Sequence, residues 1–246
     1  MTDQPTCPGQ QYRWVRRILP RTLQPWLRGL RKSLERHFLE LDEPYRTVYP
    51  YTQVSQARQH HIVELCRIIE RESIPGAVVE CGVLDGGMAA LMAHATRVSS
   101  RPIHLFDAWR GLPEPVAQDG VGSWRWSGQV VGSPTRVRQI MGQLKIERSR
   151  VHFHQGWFHE TFPHVSIDQI ALLHIDCDFY EPTRLCLQRW YSMIASGGYI
   201  QFDDYSAFAG CKCAVDEFLA EHSQLALQHQ DVPGGAWFVR KVPPTR

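Results

Sequence analysis

The residues best suited to chemistry in this 246-residue chain are carboxylates that close apolar runs. Asp176-Cys177-Asp178 follows the run 170–175, and Asp203-Asp204 follows the run 198–202. If these runs are neighbouring strands, about 5 Å apart, Asp176, Asp203 and Asp204 converge as the hard oxygen donors that Mg²⁺ prefers. Alternate residues of a strand share a face, so Asp178 looks the same way as Asp176. The set holds no cysteine or clustered histidine ligands, which argues against zinc. A pair of helix caps at Asp203-Asp204 is the competing reading.

A second constellation is Glu80-Cys81-Gly82-Val83-Leu84-Asp85-Gly86-Gly87, which joins a β-branched run to a helical one. Strand-to-helix turns of this kind hold nucleotides at the carboxyl edge of a sheet. The turn is not GxGxxG and no Gly-Lys-Ser/Thr follows, and a purely steric turn also uses glycine. Asp107, one strand further on, is placed to accept hydrogen bonds from ribose hydroxyls. Histidine suits proton transfer near neutrality. His60, His61, His154, His159, His164 and His174 are the candidates near these sites; His159 fits an acceptor contact or a base. His174 lies inside an apolar strand and reads as a satisfied core residue. Trp109, Trp124, Trp126 and Tyr180 read as packing, although the Gly-rich stretch 119–133 is long enough to form a lid.

The elements that must position these groups alternate. Strands are expected at 77–81, 103–107, 151–155, 170–176 and 198–203, with helices at 53–72, 87–97, 182–195 and 210–222. The helix 182–195 has proline in its first turn and Gly197-Gly198 at its end. Segments 225–229 and 236–239, joined by Pro233-Gly234-Gly235, read as a hairpin. This order implies an α/β fold with a doubly wound, mostly parallel sheet and an antiparallel pair at one edge. Residues 44–52 are too rich in Pro and Tyr to be regular.

Composition narrows the function. With 43% hydrophobic and 21% charged residues the chain is neither disordered nor fibrous. Between Arg13 and Arg36 lie eight of the 27 Lys and Arg but only one of the 25 Asp and Glu, Glu35, so a basic arm precedes a mildly acidic body. A diffuse nucleic-acid surface is excluded by that distribution. Trp26, Leu27, Leu30, Leu34, Phe38 and Leu39 follow helical spacing, with Arg28, Arg31, Lys32 and Arg36 opposite, as in an amphipathic helix packed on the body or on a second subunit. No apolar run nears the roughly 20 residues of a membrane span. The seven cysteines include no CxxC pair, which fits a reduced, cytoplasmic protein.

Five blocks, Glu80–Gly87, Phe106–Pro113, Gly156–Pro163, Ile175–Thr183 and Phe202–Tyr205, occur in an order that resembles the macrocin/mycinamicin sugar O-methyltransferases. The resemblance covers residues 50–240. It implies a class I methyltransferase fold with a seven-stranded sheet over 45–246, an arm over 1–44, and dependence on S-adenosylmethionine and Mg²⁺. It implies metal ligation by Asp176, Asp203 and Asp204, with Asp178 as general base. It further implies cofactor contacts by Thr52, Glu80, Gly82, Asp107, Gln155, Gly156 and Trp157. His159 stands where a lysine is more usual, and Phe179 stands where catechol-type enzymes carry lysine, which favours a sugar acceptor. The expected reaction is methyl transfer to a sugar hydroxyl of a natural product, with no nucleic-acid partner and homo-oligomerisation through the arm. A phenol or polyketide hydroxyl, a nucleotide-dependent oxidoreductase and a non-catalytic scaffold are the alternatives.

Overall fold

Apolar runs too short for buried helices become strands, and all of them join one sheet. The computed structural model of the chain describes residues 20, 23–35 and 39–242. Its strands are β1 (Ala77–Cys81), β2 (Ile103–Asp107), β3 (Val151–Gln155), β4 (Ile170–Ile175), β5 (Ile194–Phe202), β6 (Gln228–His229) and β7 (Trp237–Arg240). The order across the sheet is β3-β2-β1-β4-β5-β7-β6, parallel except that β7 runs antiparallel to β5 and β6. The longer helices are α1 (Gln24–Glu35), α2 (Gln56–Arg71), α3 (Gly87–Ala95), α4 (Pro134–Gln143), α5 (Tyr180–Trp190) and α6 (Ala209–Glu221).

Side chains alternate across the sheet and build two cores. Val78, Ile103, Leu105 and Leu172 face one layer with α2 and α3, while Val79, Cys81, Phe106, Leu173 and Phe202 face the other with α5 and α6. β1 and β4 are buried at every residue, as central parallel strands between two helical layers require. The strand order reverses direction between β1 and β4, so the crevice at their carboxyl ends is the topological switch point.

Three local expectations are corrected. The helix expected at 182–195 runs instead from Tyr180 to Trp190, and β5 already begins at Ile194. Gly197 and Gly198 lie inside that strand, where Gly197 adopts φ +80° and the β4–β5 register shifts, so they shape a strand irregularity and do not stop a helix. Residues 44–52 contain two short helical turns, Tyr45–Val48 and Tyr49–Tyr51, anchored by buried Val48, Pro50 and Tyr51.

The arm helix also differs. α1 turns its cationic side to the body: Arg28 reaches Asp85 at 2.7 Å and Lys32 donates to the Thr52 carbonyl. Trp26, Leu27, Leu30 and Leu34 face outward, with Leu30 and Leu34 about 60% exposed. Arg36 and Phe38, also expected in this helix, lie outside the described residues.

At the far edge, His104 Nδ1 and His154 Nε2 lie 3.0 Å apart, and the His104 ring stacks on His152 at 4.8 Å. Burial, reinforced by the neighbouring imidazoles, pushes His104 and His154 down to about 4 from the ordinary 6.5. The unfolded chain therefore takes up protons that the folded one refuses below pH 6.5, and stability is lost between pH 6.5 and 4. The stability advantage of wild type over a His104→Gln, His154→Gln double variant, measured by urea unfolding, should be constant above pH 7 and shrink as pH falls to 4. An advantage independent of pH would refute this origin.

Candidate active site

Parallel pairing sets the site. Register places Cys81 opposite Ile175 and Ile175 opposite Phe202, so the residues that follow these strand ends are neighbours. The ladder continues one step beyond the strands, with Asp176 N donating to Cys81 O and Asp203 N to Ile175 O, each at 2.9 Å. One carboxylate oxygen from each of Asp176, Asp203 and Asp204 consequently falls within 4.8 Å of the others. Three carboxylates in this geometry fit a hard divalent cation by donor type and spacing. Asp204 Oδ2 accepts from Asp178 N at 2.9 Å, which fixes the backbone of Asp178. Asp178 has φ +61°, a left-handed conformation that a non-glycine residue adopts only when its surroundings hold it there.

The turn after β1 is held from inside the crevice. Asp107 Oδ2 accepts from Val83 N and Leu84 N at 2.8 and 2.9 Å, and Oδ1 from Trp109 N at 2.6 Å. A carboxylate has about four lone-pair sites, so Asp107 retains capacity for a ligand hydroxyl. Gly82 is required sterically: it has φ +88°, and a Cβ there would lie 1.7 Å from the carbonyl oxygen of Asp176. That close approach lets β1 and β4 end side by side in the switch-point crevice.

One cavity of about 590 Å³ joins both halves. It is lined by Thr52, Glu80, Gly82, Asp107, Gly156 and Trp157 around the turn after β1 and by Asp176, Asp178, Asp203, Asp204 and His159 on the other side. Gln155 stands apart: it is exposed and outside the lining. The His159 side chain is 66% exposed at the mouth. Trp126 also lines the cavity, whereas Trp124 is 75% exposed and Trp109 supports the turn through its indole N–H to Leu84 O at 2.9 Å.

Sequence reasoning missed the groups that balance these acids. His174 is fully buried and lies in register between Glu80 and Gln201; its Nδ1 is 3.0 Å from Glu80 Oε1 and its Nε2 3.8 Å from Asp203 Oδ1. Burial opposes its protonation, but the carboxylates of Asp203 and Glu80 outweigh that and push His174 up to about 9. Arg58 of α2 pairs with Asp203 Oδ2 at 2.6 Å. Only the acid at the end of each strand was legible beforehand; a histidine in an apolar run carries no local sign that its neighbours across the sheet are acidic. The second oxygen of Glu80, Oε2, is buried and without a hydrogen-bond partner, as is Asp203 Oδ1. Buried carboxylate oxygens left this way are ready for a cationic ligand.

The macrocin O-methyltransferase (TylF) family matches the chain over residues 30–240. The chain belongs to this family. It is therefore an S-adenosylmethionine-dependent O-methyltransferase. Demethyldecarbamoylnovobiocin O-methyltransferase of Streptomyces niveus is 32% identical over 180 residues, covering 70% of this chain and 68% of the relative. Mycinamicin III 3''-O-methyltransferase of Micromonospora griseorubida is 28% identical over 193 residues, covering 74% and 75%. The solved structure of the O-methyltransferase NovP aligns with a TM-score of 0.72 at 25% identity, over 91% of this chain and 100% of the other.

In this member of the TylF family the acids of the crevice resist ionisation. Burial, followed by the charges of Asp203 and Asp204, raises Asp176 well above 3.8; burial and the same two acids raise Asp178. Burial and Asp203 push Asp204 up to about 7. Without a cation, stability should fall as pH rises through these values, because the unfolded carboxylates ionise first. In EDTA at pH 8, Asp176→Asn is expected to raise the thermal midpoint by several degrees, equivalent to about 1 kcal/mol. Millimolar Mg²⁺ should then stabilise wild type and leave the variant unmoved. Equal midpoints in chelator, or equal responses to Mg²⁺, would contradict a charge cluster built around a cation.

Proposed function

We propose that the enzyme methylates a sugar hydroxyl of a natural product in a divalent-metal-dependent reaction. The observation carrying this reading is that the acid triad Asp176, Asp203 and Asp204 shares one cavity with the Glu80–Gly82 turn and Asp107. Glu80 Oε2 suits the ammonium of the methyl donor, Asp107 its ribose, and Gly156 and Trp157 its adenine. S-adenosylmethionine supplies the electrophilic methyl group when bound. A cation held by Asp176, Asp203 and Asp204 would supply Lewis acidity, which brings a weakly acidic sugar hydroxyl within reach of a carboxylate base.

Asp178 is the residue to take the acceptor proton onto a carboxylate oxygen. Its carboxylate lines the same cavity as the triad, where a hydroxyl made acidic by a cation needs only a nearby acceptor for its proton. The contact from Asp178 N to Asp204 Oδ2 holds Asp178 in its left-handed conformation and so fixes where its carboxylate sits. His159, exposed at the mouth, suits contact with the distal part of an acceptor.

The acceptor side favours an uncharged glycoside over a nucleoside-diphosphate sugar. Among the lining residues the acids include Glu114 and Glu181, whereas Arg58 is already paired with Asp203, so among the described residues lining the cavity a diphosphate meets no unpaired guanidinium or ammonium. Trp126, Phe158 and Phe208 offer a broad apolar wall, which also favours a second reading in which a phenol or polyketide hydroxyl accepts the methyl group. The relatives act on antibiotic scaffolds, and the same broad class is the acceptor inferred here. All six cysteines among the described residues are free, consistent with a reducing, cytoplasmic setting.

Cofactor consumption across a panel of glycosides, phenols and nucleotide sugars, with and without Mg²⁺, tests this directly. Asp178→Asn should bind S-adenosylhomocysteine normally and lose about 10²–10⁴-fold in turnover, and EDTA or Asp203→Ala should abolish turnover. Full activity in chelator would remove the metal from the reaction. Oligomerisation through the arm is part of the same proposal: the outward apolar side of α1, with Leu30 and Leu34 about 60% exposed, suits burial against a second copy. Light scattering should report a dimer or larger species that Leu30→Glu, Leu34→Glu converts to monomer; a monomeric wild type would end that part.

A further inference from the structure

The cationic side of α1 is spent on segments that line the cavity. Arg28 bonds Asp85 Oδ2 through Nη2 at 2.7 Å and Nε at 3.2 Å, and its Nη2 also reaches Val131 O at 3.0 Å. Asp85, fully buried in the turn between Gly82 and Gly87, also faces Arg136 Nε at 3.3 Å. Arg136 is itself buried, donates to Pro50 O at 2.7 Å, and lies 4.4 Å from the Tyr51 ring centre. Gly29 closes the contact: a Cβ there would fall 2.2 Å from the Arg136 guanidinium, so α1 lies directly on that side chain. One turn on, Lys32 donates to the Thr52 carbonyl.

The turn gripped in this way is strained. Leu84 has φ +54°, a left-handed conformation that persists only where surroundings over-determine it. Asp107 and Trp109 hold it from within the crevice. From outside, Asp85 is the handle, and its partners are Arg28 and Arg136. Losing Arg28 leaves a fully buried carboxylate with one guanidinium at the edge of hydrogen-bond range, and Asp85 Oδ1 already lacks a partner. A buried carboxylate stripped of one cationic partner is strongly destabilised where it stands, so the turn that carries it is no longer held in that position. Leu84, Thr52 and Val130, all lining the cavity, belong to the three segments that α1 ties together.

We propose that the amino-terminal helix completes the cofactor site, with Arg28 acting through Asp85, and Lys32 through Thr52, as positioning residues that hold the strained turn in its cofactor-binding shape. This rests on reading the Glu80–Gly82 end of the cavity as the cofactor site. Cofactor affinity then depends on the arm while the chemical step does not.

The test uses the full chain and S-adenosylhomocysteine, with affinity from calorimetry and dissociation rate from stopped-flow fluorescence. Arg28→Ala and Gly29→Val should each weaken binding about tenfold, chiefly through faster dissociation. KM for S-adenosylmethionine should rise in parallel while kcat stays within about twofold, the signature of lost ground-state positioning. Arg31→Ala, on the same helix but exposed and paired with Glu35, should change nothing. Arg28→Ala should add little to an Asp85→Asn background, because both remove one contact, and Arg28→Lys should recover part of the affinity. Wild-type affinity and dissociation in both Arg28→Ala and Gly29→Val would overturn the proposal, as would a full additive loss in the double variant. Gly29→Val leaves Arg28 and Asp85 themselves unchanged, so its result stands even if Arg28→Ala proves unstable. A wild type that does not bind S-adenosylhomocysteine would instead overturn the cofactor-site reading itself.

Discussion

Burying like charges side by side is unfavourable, and this fold does so at the one place where its sheet changes direction. The parallel register of β1, β4 and β5 brings Glu80, Asp176, Asp203 and Asp204 to a single edge, with Asp178 two residues beyond β4's first acid. Coulomb repulsion between such groups grows as water is excluded. The surrounding structure reads as a response to that repulsion. His174 takes the position between Glu80 and Asp203, Arg58 crosses from α2 to Asp203, and backbone amides are aimed at Asp107 and Asp204. These partners do not satisfy the whole set: Glu80 Oε2 and Asp203 Oδ1 are left buried without a hydrogen-bond partner.

Two strained residues mark how the crevice is kept in shape. Asp178 and Leu84 both sit at positive φ, one beside the acid triad and one in the turn after β1. Each is locked by a carboxylate from a neighbouring strand end: Asp204 accepts from the amide of Asp178, and Asp107 from the amides of Val83 and Leu84. The same acids are therefore candidates for ligand binding and for backbone anchoring at once. This dual use explains why so many carboxylates occupy the carboxyl ends of the strands, since each has more acceptor sites than a single ligand would consume.

How much of this was legible in the sequence can be argued residue by residue. The acids were legible because strand ends are marked by a change from apolar to acidic residues, and alternation tells which side chains share a face. Neighbourhood across the sheet was not. His174 sits in Ile-Ala-Leu-Leu-His-Ile, a run that looks like plain core, and only the parallel register with Glu80 and Gln201 gives it a role. Gly197-Gly198 was misread because glycine after a helical pattern usually ends a helix, whereas here a long strand passes through both. Arg58 and Arg136 gave no signal, since a helical arginine has the same local pattern whether it faces solvent or a buried carboxylate.

The arm shows the limit of pattern reading most clearly. An amphipathic helix is expected to bury its apolar stripe, because transfer of apolar surface out of water is the dominant gain on folding. α1 instead buries charge: Arg28 and Lys32 enter the body, and burial lowers Lys32 to about 8 from its ordinary 10.5. Burying cations is tolerable only where they are paired or hydrogen-bonded, and Asp85 and the Thr52 carbonyl supply those partners. The positive charge of α1 thus answers a local deficit in the turn after β1, while the exposed leucines remain available for a different surface. Charge asymmetry between arm and body, which seemed a matter of external partners, is in part an internal contact of the enzyme with its own site.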